Sequence, residues 1–196
     1  MPFEFHENMV IWKKEGSWDC FGFLGESRHG KTPLSFAFAH LLFRSGVGEI
    51  RVFDDCFKIE RERVRQCRAW GNRGELGEAY YSELAKAMSA SGHSASELEP
   101  GDHTYQLRNV AMCLLVIGNS GAVVKMERCS REEFVEKLMP SNPFTWDYPK
   151  PGKNVVFQRF KENWRYFIIR RQAKTTKELI DAVANEAIEE SKRLES

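Results

Sequence analysis

The sequence has no strong charge imbalance and no long apolar run. Of its 196 residues, 29 are Lys or Arg and 28 are Asp or Glu, which gives a formal net charge of +1. Such a balance produces no field that would draw nucleic acid or an anionic membrane surface. No stretch of about 20 apolar residues occurs, and the first seven residues lack the basic and apolar regions of a signal peptide. These absences predict a cytoplasmic protein without nucleic-acid or membrane partners.

The sequence also lacks the cysteine spacings that are typical of disulfide frameworks and metal sites. It has five cysteines, an odd number, and no C-x-x-C pair. The pattern therefore favours neither a disulfide framework nor a zinc site. Cys113 lies in an apolar run and is predicted to be a small core residue. With 42% hydrophobic and 29% charged residues, the composition predicts one globular domain over residues 1–196.

What the sequence does contain is the consensus G-x-x-x-x-G-K-T. Its eight positions are Gly25, Glu26, Ser27, Arg28, His29, Gly30, Lys31 and Thr32. An apolar segment at 20–24, predicted as a strand, precedes it, and a segment at 33–43, predicted as a helix, follows it. Strand, loop and helix are the context in which this Walker A motif cradles phosphates. Four fixed positions in that context indicate a nucleotide-binding loop rather than a chance match in a glycine turn.

The residue types of the motif suit phosphate chemistry. Glycines allow close approach of the backbone to a ligand, and successive N–H groups form an anion nest at a helix N-terminus. Lys31 would reach the β- and γ-phosphates, and the Thr32 hydroxyl would bind Mg²⁺. His29 lies inside the loop, where its imidazole either touches phosphate or faces solvent.

Two adjacent carboxylates supply candidates for the rest of the site. Residues 49–53 are predicted to form a short strand that closes a β–loop–α–β unit, with largely parallel pairing. Asp54 and Asp55 follow it directly, at the strand end where open α/β sheets bind ligands. One would hold Mg²⁺ and the other would accept a proton from an attacking hydroxyl. The alternative is a pair of acids that caps a loop.

Hydrophobic patterning predicts the remaining elements. A charged segment at 58–70 is interpreted as a solvated helix face, with a basic lip near the phosphates as the sharper alternative. Residues 89–104 are interpreted as a mobile loop. The other predicted elements are strands at 5–12, 18–24, 109–117, 122–126 and 166–171 and helices at 75–90, 131–138 and 177–194. Residues 154–164 are predicted to form a helix or a mixed segment. Ser130 and Glu133 fit a capping box, and Thr175 or Thr176 would cap the last helix.

This arrangement resembles the catalytic domain of the HPr kinase/phosphorylase family, which shares a core with phosphoenolpyruvate carboxykinase. The resemblance rests on His6 on a first strand, the following hairpin, the glycine loop at 25–32, and a strand that ends in Asp54-Asp55. It implies an α/β fold with a curved, mixed sheet around the Walker A loop. It also implies ATP and Mg²⁺ as cofactors and phosphoryl transfer to a hydroxyl, typically of serine.

The resemblance also implies roles for single residues. Lys31 would bind the phosphates, Thr32 the metal, and His6 would lie near the phosphates. Asp54 or Asp55 would serve as base and metal partner; in the kinase hypothesis Asp55 is the base and Asp54 lies near Mg²⁺. The E-x-R-G-x-G signature of the bifunctional enzymes is absent from the sequence, so we expect a small, divergent member. The sequence does not identify the acceptor, so a protein, a peptide and a small molecule all stay open. A homo-oligomer stays open as well.

Two other functions compete with the kinase hypothesis. The first is a regulatory module that binds nucleotide without an acceptor and uses the segments at 58–70 and 89–104 as partner surfaces. The second is an ordinary doubly wound NTPase, which needs a positioned water and usually an arginine finger. Arg28 is the only loop residue that suits the latter role.

Overall fold

The fold was analysed in a computed structural model. The structure describes residues 3–5, 8–14, 16–25, 30–53, 57–60, 63–66, 73–98, 105–117, 125–141, 152–170 and 175–195. The strands in these ranges are β1 (Phe3–Phe5), β2 (Asn8–Lys14), β3 (Ser17–Gly25), β4 (Ile50–Phe53), β5 (Phe57–Glu60), β6 (Arg63–Gln66), β7 (Tyr105–Ile117), β8 (Lys125–Cys129) and β9 (Tyr166–Arg170). The helices are α1 (Lys31–Arg44), α2 (Gly74–Ala90), α3 (Arg131–Leu138), α4 (Lys153–Arg159) and α5 (Lys177–Glu195).

All nine strands described belong to one open, mixed sheet. The long strand β7 lies at its centre and pairs in parallel with β3 on one side and with β9 on the other. Antiparallel strands complete both edges: β2 and then β4 beyond β3, and β8 beyond β9. The predicted α/β class is therefore confirmed, with a sheet of mixed direction.

The hairpin β2–β3 corrects one prediction about strand order. The β–loop–α–β unit was expected to place the strand at 49–53 in parallel contact with the strand before the glycine loop. Instead β2 lies between them, because it pairs with β3 through residues Asn8 to Lys14 and with β4 through Met9 to Trp12. A two-residue hairpin connection makes β2 the immediate neighbour of β3, and β7 covers the other edge. β4 still runs parallel to β3, one strand further out.

Where a helix was expected at 58–70, the described residues 58–60 and 63–66 belong to a second wing of the sheet. There β5 and β6 form an antiparallel hairpin, with Phe57 opposite Gln66 and Glu60 opposite Arg63. β6 continues onto the start of β7, and β1 adds to β5. For the described residues of this segment the helix prediction was wrong, because it relied on charges three and four positions apart. Phe57 and Ile59 instead follow the two-residue period of a strand, and Val64 lies opposite Ile59 in the next strand.

The two faces of the sheet carry separate cores, and alternation along β3 shows how. Phe21 and Phe23 face the core shared with α1, α2 and α5, whereas Cys20 and Leu24 face the core shared with α3 and α4. Because both faces of β3 are covered, nearly all of its residues are buried. This explains why the strand reads as a continuous apolar run.

Helix α1 is the central helix of the first core. It lies against β2, β3 and β4 and also contacts α2 and α5. Its buried residues include Phe36 and Phe38, and Phe38 packs on the rings of Phe21 and Phe23. A helix enclosed on several sides needs apolar residues around most of its circumference. The apolar residues of α1 therefore pack it firmly in the core, and Lys31 and Thr32 are the first two residues of this helix.

The remaining predicted elements compare well with the structure. The helices at 75–90, 131–138 and 177–194 and the strands at 109–117 and 166–171 are confirmed within a few residues. Ser130 caps α3 by accepting a hydrogen bond from the Glu133 N–H at 3.1 Å, and Thr176 accepts one from the Leu179 N–H at 3.3 Å. Within the predicted loop at 89–104, a short 3-10 helix lies at Ala95–Glu97. Across the described ranges, the helices lack the combination of length and apolar character needed to cross a bilayer.

Candidate functional site

The two ends of the glycine motif lie at the junction between β3 and α1. Gly25 is the last residue of β3, and Gly30 is the N-cap residue of α1. Gly25 has φ 142° and Gly30 has φ 88°, values that residues with a side chain rarely adopt. The predicted strand and helix around the motif are thus confirmed. The residues between them, Glu26, Ser27, Arg28 and His29, lie outside the described residues.

Lys31 places a positive charge at this junction. It is the first residue of α1, and its Nζ donates a hydrogen bond to the carbonyl oxygen of Gly25 at 2.8 Å. The ammonium group therefore lies over the end of β3, beside the N-terminus of α1. A glycine N-cap has no side chain to accept hydrogen bonds from the first turn. The N–H groups of the first turn are then not occupied by a capping side chain. Together with the nearby Lys31 ammonium group, such a helix N-terminus is suited to bind a polyphosphate.

Thr32 is half-buried and contacts two buried polar residues, Asn8 and Ser35, that were not among the predicted site residues. Its Oγ1 accepts a hydrogen bond from Asn8 Nδ2 at 3.4 Å, and Asn8 Nδ2 also donates to Ser35 Oγ at 3.4 Å. Asn8 is 2% exposed and Ser35 is fully buried. Ser35 Oγ in turn donates to the Thr32 carbonyl oxygen at 2.7 Å. The available sequence signal was a polar residue directly before the apolar run at 9–12. Only strand pairing, however, brings Asn8 to α1.

Strand register brings the end of β4 to the same edge of the sheet. Asn8 lies opposite Phe23 of β3, and its neighbour Met9 lies opposite Phe53, the last residue of β4. With neighbouring strands spaced by about 4.8 Å, β3 and β4 lie about 10 Å apart across β2. The backbones at the two strand ends are therefore separated by the width of one strand, β2.

Three of the predicted site residues lie next to these strands in the sequence. Asp54 and Asp55 come directly after β4, and His6 comes two residues before Asn8. All three lie outside the described residues. The structure therefore brings together Gly25, Gly30, Lys31 and Thr32. The assignments of Asp54, Asp55 and His6 stay predictions.

Two further helices begin close to the motif. A Cβ atom added to Gly77, in the first turn of α2, would lie 3.3 Å from Thr32 Cγ2. A Cβ atom added to Gly30 would lie 2.6 Å from Thr175 Cγ2 and 3.0 Å from Ile180 Cδ1, near the start of α5. Gly30 is therefore required by packing as well as by its backbone conformation. Neither contact is predictable from the sequence, because both join segments that are far apart in the chain.

A hydrogen-bond network holds α2 and α5 together beside these contacts. The Tyr80 hydroxyl donates to Asp181 Oδ1 at 2.5 Å, and Lys177 Nζ donates to Asp181 Oδ2 at 2.9 Å. Burial, with the acceptor Asp181, raises the pKa of the Tyr80 hydroxyl well above its ordinary value. Partial burial tends to raise the pKa of Asp181, but the hydrogen bonds from Tyr80 and Lys177 outweigh it and the pKa is lowered. The Asp181 carboxylate is thus kept ionised and fixed between the two helices.

The donor atoms of this site suit Mg²⁺ only when a bound phosphate supplies further oxygen atoms to the metal. Within the described ranges, no group of three or more His, Cys, Asp or Glu side chains could hold a metal ion. The Thr32 hydroxyl is a hard oxygen donor of the type that Mg²⁺ prefers. Magnesium at nucleotide sites takes one or two protein oxygens and fills its other positions with phosphate and water. Thr32, with a carboxylate from the segment after β4, would fit that requirement.

Comparison of the sequence with known proteins did not identify a family. No protein-family model matches the sequence, and no curated protein matches it either. The functional argument therefore rests on the residues and contacts of this chain.

Proposed function

We propose that this chain is an ATP- and Mg²⁺-dependent phosphotransferase that moves the γ-phosphoryl group to a serine-type hydroxyl of a protein, peptide or small molecule. The observation that carries the proposal is the position of Lys31. Its ammonium group lies 2.8 Å from the Gly25 carbonyl oxygen, at the N-terminus of α1. The strand that precedes Asp54 and Asp55 ends at the same edge of the sheet. In this proposal residues 1–196 form one kinase-like domain of the HPr kinase type, with a curved sheet around the loop.

Each proposed role follows from what the side chain can do. Lys31 and the N–H groups of the loop at 25–32 bind the β- and γ-phosphates. Thr32 and Asp54 are the protein ligands of Mg²⁺, which neutralises phosphate charge when bound. Asp55 takes the proton of the acceptor hydroxyl while the hydroxyl oxygen forms a bond to the γ-phosphorus. The bond between that phosphorus and the β–γ bridging oxygen breaks, and ADP leaves. His6 lies near the phosphates in this arrangement.

The mixed direction of the sheet favours this proposal over an ordinary doubly wound NTPase. In a doubly wound sheet the strand before the phosphate loop has parallel neighbours joined by helical crossovers. Here one neighbour of β3 is the antiparallel hairpin strand β2. The hairpin before the motif is also one of the features on which the resemblance to the HPr kinase family rests.

The first test is ligand-dependent thermal unfolding. The full chain is heated with Mg²⁺ and ATP, ADP, GTP or pyrophosphate, since a ligand that binds only the native state must raise its stability. We expect a rise in Tm for wild type that disappears in Lys31→Ala. Lys137→Ala, which removes an exposed lysine on α3 across the sheet, should keep the full rise. The absence of a rise in wild type with every ligand would overturn the proposal.

The second test separates catalysis from binding. Serine, serine-containing peptides and proteins are screened as acceptors, and ADP is measured together with the phosphorylated product. Asp55→Asn should abolish turnover and keep nucleotide affinity, because it removes the proposed base and keeps the side-chain shape. Unchanged turnover would refute the role of Asp55. Nucleotide binding without ADP formation under any acceptor would favour the regulatory module.

A further inference from the structure

We infer that Asn8 is a positioning residue that fixes the Thr32 hydroxyl as a metal ligand. The inference rests on the proposed function, since it concerns the Mg²⁺ that accompanies the nucleotide. Asn8 is buried to 2% exposure at the first position of β2, and its amide contacts Thr32 Oγ1 and Ser35 Oγ, each at 3.4 Å. No other buried asparagine occurs among the described core residues.

The hydrogen bonds of Ser35 set the orientation of the Asn8 amide. A serine hydroxyl has one proton to donate and two lone pairs to accept with. Ser35 Oγ uses its proton on the Thr32 carbonyl oxygen at 2.7 Å. It can therefore only accept from Asn8, and the group that faces it must be the amide NH₂. The same NH₂ group then faces Thr32 Oγ1.

This orientation decides which part of the Thr32 hydroxyl is occupied. When Thr32 Oγ1 accepts a hydrogen bond from Asn8 Nδ2, one of its two lone pairs is used. In the proposed site, the second lone pair would bind the metal ion and the proton would go to an acceptor such as a carboxylate. An amide oxygen in place of the NH₂ would instead bind the hydroxyl proton. Asn8 thus controls the orientation of the Thr32 hydroxyl. In other metal sites, residues that hydrogen-bond to a metal ligand orient it in the same way.

A purely structural role would have a different consequence. Asn8 and Ser35 also join β2 to α1, and loss of that contact lowers stability whether or not metal is bound. A positioning role changes the dependence of nucleotide binding on Mg²⁺ and leaves metal-free binding alone. The ratio of the two affinities therefore separates these roles.

The experiment compares the Kd for ATP in Mg²⁺ with the Kd in EDTA, by calorimetry on the folded full chain. The variant is Asn8→Leu, which keeps the side-chain size and removes the donor. We expect its Kd in Mg²⁺ to rise about 10-fold, the effect typical of losing a partner of a metal ligand, with the Kd in EDTA unchanged. In a Thr32→Val background, where the hydroxyl is already absent, Asn8→Leu should have no further effect.

A second variant guards against a failure of Asn8→Leu to fold. Ser35→Ala removes only the hydroxyl that fixes the orientation of the Asn8 amide. It should also raise the Kd for ATP in Mg²⁺ relative to the Kd in EDTA, by a smaller factor than Asn8→Leu does. An unchanged ratio of the two Kd values in the folded variants would overturn the inference and leave the proposed function standing. Wild type that binds no ATP in Mg²⁺ would overturn both.

Discussion

Replacing Gly30 with alanine tests whether the start of α5 packs against the motif. Gly30 has φ 88°, and a Cβ atom there would lie 2.6 Å from Thr175 Cγ2. The left-handed conformation costs about 1–2 kcal/mol for a residue with a side chain. Overpacking adds about 1–3 kcal/mol. We expect Gly30→Ala to lower the free energy of unfolding by about 2–5 kcal/mol, from the sum of these two ranges.

Gly46→Ala is the matched control, because Gly46 lies just beyond the other end of α1. Its φ is 99°, and a Cβ atom there would meet nothing within 4 Å. Both substitutions share the backbone cost and the loss of unfolded-state entropy. Their difference, about 1–3 kcal/mol, isolates the contacts that a Cβ atom at position 30 makes with Thr175 and Ile180.

Urea denaturation followed by circular dichroism measures both variants. Thr175→Ser removes the Cγ2 methyl and keeps the hydroxyl, so it should reduce the cost of Gly30→Ala and leave the cost of Gly46→Ala unchanged. Equal destabilisation by the two alanines, or no relief from Thr175→Ser, would refute the packing of Thr175 on Gly30.

Three further predictions concern the helix contacts around the site. Tyr80→Phe removes a hydrogen bond to a carboxylate and should cost about 1–2 kcal/mol in urea denaturation. Asp181 has a lowered pKa in the folded state, so its stabilising effect is present above its unfolded pKa of about 3.9 and is lost as pH falls through the folded pKa. Asp181→Asn should therefore lose less stability than wild type between pH 7 and pH 3, and an equal loss would contradict the assignment. Ser130→Ala should cost about 1 kcal/mol in urea denaturation through loss of the α3 cap.

The strand order around β3 sets the spacing of the elements that border the proposed site. Because β2 separates β3 from β4, the backbones at the ends of those two strands lie about 10 Å apart. In the proposed kinase, the phosphate chain and its Mg²⁺ would lie at the end of β2, between the start of α1 and the carboxylates that follow Phe53.

Local signals explain which elements were predicted correctly. The hairpin β2–β3, the helix α1 and the cap of α3 depend on residues a few positions apart, such as Ser130 and the Glu133 N–H. The apolar face of α5, which includes Leu179, Val183 and Ile188, follows from its helical period and is buried. Local signals failed at β5 and β6, where alternating charges fitted a helix and a strand alike. Pairing with β7 and β1 decided in favour of strands there.

By itself the sequence determined the α/β class, the strand and helix on either side of the glycine motif, and the choice of Lys31 and Thr32 as candidate site residues. Only the tertiary structure decided that β2 lies between β3 and β4, that Asn8 reaches Thr32, and that Thr175 packs against Gly30. The reason is sequence distance: Asn8 is 24 positions from Thr32. Contacts of that kind form only after strand register and helix packing have been chosen by burial of the whole apolar core.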